Sequence, residues 1–207
     1  GSISKRPTSD AMLRMLEEKG DEIFADADSI VIEIDLDKEL IKTVFKYAEK
    51  YHKRVYAVVA NMSIASQRRD FLQSIDCFVC NQQEAGILFV CDFSGLTPEE
   101  LCEELSRRVV SARIPSMVVT MGSRGAVYAD MNGDKGVYPA RKVKVRDTTG
   151  AGDAFCAGVA IGLTYGKTMR EAVEIGTRLA SSVITVSENV CPRFLPQELG
   201  LDVKIEE

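Results

Sequence analysis

The stretch VRDTTGAGDAFCA, Val145 to Ala157, sets three small residues and then a carboxylate where a helix begins. A helix N-terminus carries unpaired N–H groups and a partial positive charge. Glycine there lets backbone come close to an anion. Read as chemistry, the N–H groups of Gly150, Ala151, Gly152 and Asp153 point at a transferring phosphoryl group. Asp153 then stands beside it as the general base for an attacking hydroxyl. Read as structure, the same residues form a tight loop with an aspartate capping the helix. The small-residue face that follows, Ala154, Ala157, Gly158 and Gly162, exceeds what a cap needs and favours the chemical reading.

Two further segments could serve such a site. TMGSRG (Thr120 to Gly125) closes an apolar strand, where α/β folds place ligands. Gly122 and Gly125 would let backbone approach a nucleotide phosphate, and Thr120 or Ser123 could donate a hydrogen bond. A glycine-bearing turn between strands explains the residues equally well. NQQE (Asn81 to Glu84) also begins where a strand stops, and its amide and carboxylate share one helix face. The pair suits a Mg²⁺ that keeps most of its waters, and it suits a capping box just as well.

Other chemical patterns fail on inspection. GAGDAF approaches the dinucleotide fingerprint, but Phe155 occupies its third position. GLTYGKT (Gly162 to Thr168) is one residue short of a P-loop and follows a helix; Gly166 reads as a helix end, and Thr168 with Glu171 as a capping box. Cys77 and Cys80 lie three apart on a strand, so they face opposite sides, and no second Cys/His pair completes a zinc site. His52, the single histidine, sits on a polar helix end, which argues for the surface and against a His-based triad.

The elements that must position these residues alternate strand and helix. Strand-like runs are Ser29 to Ile34, Arg54 to Ala60, Asp76 to Cys80, Ser116 to Met121, Ala126 to Ala129, Gly136 to Pro139 and Lys142 to Val145. Helical patterns cover Lys38 to Tyr51, Ser63 to Ser74, Gln83 to Phe89, Pro98 to Ser111, Gly152 to Tyr165 and Thr168 to Ser187. This alternation predicts a single α/β domain over residues 1–207, a mostly parallel, doubly wound sheet with helices on both faces.

Bulk properties exclude several classes. A net charge of −5 and a pI near 5.2 give no electrostatic support to a nucleic-acid partner or an anionic membrane. No apolar run approaches the roughly 18 residues that span a bilayer. Six cysteines, mostly inside apolar segments, read as reduced, buried thiols and predict a cytoplasmic protein.

N-x-x-E, T-x-G-x-x-G and D-T-x-G-A-G-D occur here in that order, and the combination resembles the ribokinase-like (PfkB) carbohydrate and nucleoside kinases. DTTGAGDAFCAGVA (Asp147 to Ala160) closely follows that family's signature, and the likeness runs from Ser29 onward. It implies an ATP- and Mg²⁺-dependent phosphotransferase acting on a hydroxyl of a sugar or nucleoside. Asp153 becomes the catalytic base, Gly150, Ala151 and Gly152 the anion hole, and Asn81 and Glu84 the magnesium-organising pair. Thr120, Gly122, Ser123 and Gly125 would face ATP, and Arg178 and Ser182, with the tail Glu188 to Phe194, would wall the adenine. The family often binds a monovalent cation, such as K⁺, beside the D-T-x loop, which implicates Asp147 and Thr149.

Members of that family begin with a long segment bearing an early glycine pair, much of the sugar site and a lid of strands. Here the chain enters at GSISKRPTSD, which looks like the part after that lid. The expectation is a C-terminal portion with its ATP half present, weak or absent sugar kinase activity, and an exposed apolar sheet edge that drives association into homo-oligomers. The SISKRP opening and the SEN and CPRF tail resemble the pseudouridine-kinase branch; fructose, ribose and other nucleosides stay open as substrates. Two rivals remain: a nucleotide-binding module without catalysis, and a Rossmann oxidoreductase, against which the absent third glycine argues.

Overall fold

The computed structural model describes residues 7–59, 67, 69–187, 190–192 and 195–201. Helix α1 (Ser9–Asp26) leads into β1 (Ser29–Glu33), α2 (Lys38–Lys50) and β2 (Arg54–Val58). Next come α3 (Arg69–Leu72), β3 (Cys77–Asn81), α4 (Gln82–Phe89), α5 (Pro98–Ala112) and β4 (Ser116–Thr120). A 3₁₀ turn (Gly122–Arg124) enters the hairpin β5 (Ala126–Asp130) and β6 (Lys135–Tyr138). The helices α6 (Ala151–Thr164) and α7 (Met169–Val183) follow, then a 3₁₀ turn (Pro196–Leu199).

The strands form one sheet in the order β1-β2-β3-β4-β5-β6. β1 to β4 pair in parallel, and β4-β5 and β5-β6 pair antiparallel. Parallel pairing puts the C-terminal ends of β1 to β4 at one edge, and Asn81 and Thr120 are register partners there. Successive parallel strands step in one direction, so their crossover helices share a face, as right-handed connections require.

Alternation along each strand divides the core in two. On one face, Phe78, Cys80, Met117 and Val119 pack with Leu40 and Ile41 of α2, Leu88 of α4 and Leu101 and Leu105 of α5. On the other, Cys77, Val79 and Val118 pack with Phe155, Cys156 and Val159 of α6 and Val173 of α7. Cys77 and Cys80 therefore do face opposite sides, and burial pushes the Cys77 thiol up to about 12 and Cys80 well above its ordinary value. None of the six cysteines is in a disulfide.

α6 and α7 touch along glycine. A Cβ at Gly158 would lie 2.6 Å from the Gly176 Cα, and one at Gly176 would lie 2.6 Å from the Phe155 carbonyl. Such an approach lets the backbones of α6 and α7 pack in direct contact. α6 also runs against the strands. At its C-terminal end, the Thr164 hydroxyl meets the Ser29 hydroxyl at 2.7 Å and Arg54 donates to the Leu163 carbonyl.

Three expectations need revision. α1 was not foreseen: it buries only Leu16, Gly20 and Phe24, with Gly20 making room for the Tyr47 ring. The run Lys142 to Val145 is not a strand; the sheet ends at β6, Val145 is 53% exposed, and Arg146 N–H is taken by the Ile184 carbonyl instead. Of the expected helix Ser63 to Ser74, only Arg69–Leu72 is helical among the described residues; Gln67 is in a turn, and residues 63–66 and 68 lie outside the described residues.

Among the described residues β1 is one edge of the sheet and β6 the other. Val31 on β1 is 54% exposed and lines an open groove of about 580 Å³ beside α6, together with Val58, Ala157, Ile161 and Tyr165. No helix among the described residues is long and apolar enough to cross a membrane.

Candidate active site

At the N-terminus of α6, Gly150 takes φ 79°, a left-handed conformation that a side chain disfavours, and no side chain caps the helix. Ala151 N–H donates to the Thr148 carbonyl at 3.2 Å, so one of the expected anion donors is already engaged in the turn. Among the described residues nothing accepts the N–H of Gly150, Gly152 or Asp153. A Cβ at Gly152 would meet nothing within 4 Å, so neither packing nor backbone conformation demands glycine there. The Asp153 carboxylate is exposed, has no hydrogen-bond partner among the described residues, and lines the groove with Val58 at the C-terminal end of β2. Asp153 is not the helix cap.

The loop before it is built by Asp147. Its Oδ1 accepts from Thr149 N–H at 2.9 Å and from the Thr149 hydroxyl at 2.8 Å, and these bonds hold the carboxyl below its ordinary value. Phe155, at the third position of the dinucleotide pattern, is buried in the core.

Asn81 and Glu84 stand at the same sheet edge and form a complete capping box. Glu84 N–H donates to Asn81 Oδ1 at 2.9 Å, and Asn81 N–H donates to Glu84 Oε2 at 2.7 Å. The box leaves Glu84 Oε1 without a partner among the described residues, so a capping role and a single oxygen offered to a hydrated cation coexist. No cluster of three or more His, Cys, Asp or Glu side chains suited to a metal occurs among the described residues. A Mg²⁺ that keeps most of its waters fits such a sparse set; a desolvated metal does not.

Across the strand boundary, the Thr120 hydroxyl donates weakly to the Cys80 carbonyl at 3.4 Å. Gly122 takes φ 59° over open space. Gly125 is required by the fold itself: φ is 98° and a Cβ would lie 2.1 Å from the Tyr138 carbonyl oxygen. Ser123 is exposed. Arg178 and Ser182 hold the C-terminal segment, Arg178 donating to the Glu198 carbonyl and the Ser182 hydroxyl meeting Cys191 Sγ at 3.4 Å. Of the tail expected beside them, residues 188, 189, 193 and 194 lie outside the described residues.

Asn81 and Thr120 thus stand at the C-terminal edge of the sheet, where Val58 of β2 shares its groove with Asp153 of α6, while Arg178 and Ser182 sit on α7 against the tail. Two features there carried no sequence signal. Asp35, just beyond β1, keeps a buried Oδ1 with no partner among the described residues. Arg124 ties the 3₁₀ turn to Gln82.

The decoys resolve as structure. Gly166 takes φ 73° after α6, Thr168 and Glu171 complete a capping box on α7, and His52 is exposed.

Comparison with known proteins shows the fold and the family. The guanosine-inosine kinase of Exiguobacterium acetylicum is 31% identical over 189 residues, covering 91% of this chain and 61% of that protein. The ribokinase of Schizosaccharomyces pombe is 26% identical over 84% of this chain and 53% of its own length. A probable sugar kinase from Rhizobium etli superposes with a TM-score of 0.72 at 25% identity, over 89% of this chain and 58% of that one. The Arabidopsis thaliana ribokinase complexed with ribose and ATP gives 0.73 at 20% identity, over 98% and 62%, and so shows the fold. The chain spans about half to three-fifths of the length of these relatives. The sequence profile described as pfkB family carbohydrate kinase matches residues 3–191, and the chain belongs to that family.

Proposed function

We propose that this chain carries the nucleotide and catalytic side of an ATP-dependent kinase that phosphorylates a hydroxyl of a nucleoside or sugar. The observation that carries the reading is the N-terminus of α6: unclaimed amides, clear space over Gly152 and an unpartnered carboxylate on Asp153. The amides of Gly150, Gly152 and Asp153 would receive the oxygens of the transferring phosphoryl group, reinforced by the helix dipole. Asp153 would take the proton of the acceptor hydroxyl as its oxygen bonds to the γ-phosphorus and the bond to the ADP oxygen breaks. Phosphoryl transfer asks for positioning and charge stabilisation rather than a covalent nucleophile, and this edge offers that.

Thr120, Gly122, Ser123 and Gly125 would border the nucleotide phosphates, while Arg178 and Ser182 seat the segment that walls the base. Mg²⁺, when bound, supplies charge neutralisation on the phosphates. Glu84, with Asn81, would hold it through water. Asp147 and Thr149 would order the loop beside a monovalent cation such as K⁺. A nucleoside is favoured as acceptor by the likeness to the guanosine-inosine kinase.

The test is MgATP consumption by the complete gene product against guanosine, inosine, pseudouridine, ribose and fructose. Transfer that disappears in Asp153→Asn while ATP still binds supports the reading. ATP binding with no transfer to any acceptor would leave a nucleotide-binding module in its place.

A further inference from the structure

Arg124 is the polar tether of the TMGSRG turn. Gly122 and Gly125 have no side chains, and Ser123 makes no hydrogen bond among the described residues. The Arg124 guanidinium, in contrast, bonds in two directions: Nη1 donates to the Leu96 carbonyl at 2.8 Å and Nη2 donates to Gln82 Oε1. Gln82 is used at both ends as well, because its Nε2 donates to the Phe93 carbonyl. Gln82 directly follows Asn81 and lies two residues before Glu84. A planar fork and a side-chain amide therefore brace the turn after β4 against the turn after β3, with the 93–96 loop as the common anchor. The bond lies across the same pair of strands that brings Asn81 and Thr120 into register.

Stability alone gives this brace little purpose. Arg124 is exposed and Gln82 half-buried, so water competes for their bonds. Its geometric effect is larger. The sheet register and the backbone bonds of the 3₁₀ turn fix its base, and Arg124 is the described side chain of the turn that bonds across to the helix bearing the Asn81–Glu84 pair.

We infer that Arg124 and Gln82 form a strut that sets the spacing between the nucleotide-facing and metal-facing turns, making Arg124 a positioning residue for the metal–nucleotide complex. The inference rests on the kinase reading above, because it needs those two turns to share one ligand. Lysine cannot replace the arginine, since a point charge lacks the fork that reaches Leu96 and Gln82 together.

The test is calorimetric titration of this chain with the non-hydrolysable ATP analogue AMP-PNP, with saturating Mg²⁺ and again with EDTA, after circular dichroism has verified folding. Arg124→Lys, Arg124→Gln, Gln82→Leu and the double variant Arg124→Gln/Gln82→Leu are compared. The strut predicts that each single variant weakens binding about fivefold or more with Mg²⁺ and clearly less with EDTA. The double variant should be no worse than the more damaging single one, because each breaks the same bond. Gln82→Glu, which keeps an acceptor for Arg124, should restore Mg²⁺-dependent binding relative to Gln82→Leu. Equal losses with and without Mg²⁺, or single effects that add, would overturn the strut while leaving the kinase reading intact. Absence of AMP-PNP binding by the folded unsubstituted chain would overturn both.

Discussion

The N-termini of α6 and α7 follow each other in the chain and are built on opposite plans. α7 is closed: Thr168 accepts from Glu171 N–H at 3.3 Å, and Glu171 Oε2 accepts from Thr168 N–H at 2.8 Å. α4 and α5 carry the same reciprocal box, on Asn81 with Glu84 and Thr97 with Glu100, and α1 and α2 are capped by Thr8 and Asp37. α6 has glycine where the others have a cap, and no side chain turns back onto its amides. With glycine at the N-cap, the missing side-chain cap costs only roughly a few tenths of a kcal/mol. Among the described helices of eight or more residues only α6 lacks a side-chain cap. On the function proposed above, the difference separates a helix end built for stability from one that would receive a ligand.

The largest break in that comparison is Asp153→Asn. It should lower phosphoryl transfer by about 10²- to 10⁴-fold, the usual contribution of a positioned general base, with ATP affinity retained in calorimetry. Thr168→Ala acts on the closed helix. It should cost about 1 kcal/mol in denaturant unfolding and leave nucleotide affinity unchanged.

The smallest effect is a pH dependence confined to the closed ends. The Thr168 hydroxyl and N–H hold Glu171 below its ordinary value of 4.5, and the Thr97 N–H and hydroxyl do the same to Glu100. A depressed carboxyl stabilises the fold above the unfolded value and loses that contribution as pH falls through the folded one. Thermal stability should therefore decline as pH drops below about 4.5. Glu171→Gln should flatten that decline, and a slope unchanged by the substitution would remove the capping box from the account.

The closed helix ends were the most legible part of the sequence. Thr97 with Glu100 and Thr168 with Glu171 are local patterns, and local hydrogen bonds answer to local spacing. The parallel strands were legible for the same reason, as short apolar runs between helical periods. α1 was not, because its stripe of Leu16, Gly20 and Phe24 is narrow and its glycine has meaning only beside Tyr47 of another helix. Lys142 to Val145 alternated like a strand, yet the hairpin edge provides no partner for it. Within the candidate site, the motifs announced Asp153, Gly152 and Asn81. Arg124 and Gln82 stayed silent, since their bond joins residues far apart in sequence and no spacing rule reports it. Asn81 and Glu84 show the limit from the other side: one pattern served two readings, and the structure accommodates both.

The central claim is that the first turn of α6 is kept clear for a phosphoryl group. Gly152→Ala tests it most directly, because its two readouts should move in opposite senses. Gly152 has ordinary helical backbone with open space around it, so alanine should raise unfolding stability by about 0.4–1 kcal/mol. The same methyl would stand where the phosphoryl oxygens approach, and transfer from MgATP to guanosine should fall by about 10²-fold. A variant that is more stable and transfers poorly is the predicted result; one that transfers phosphate as well as the unsubstituted protein would contradict the account.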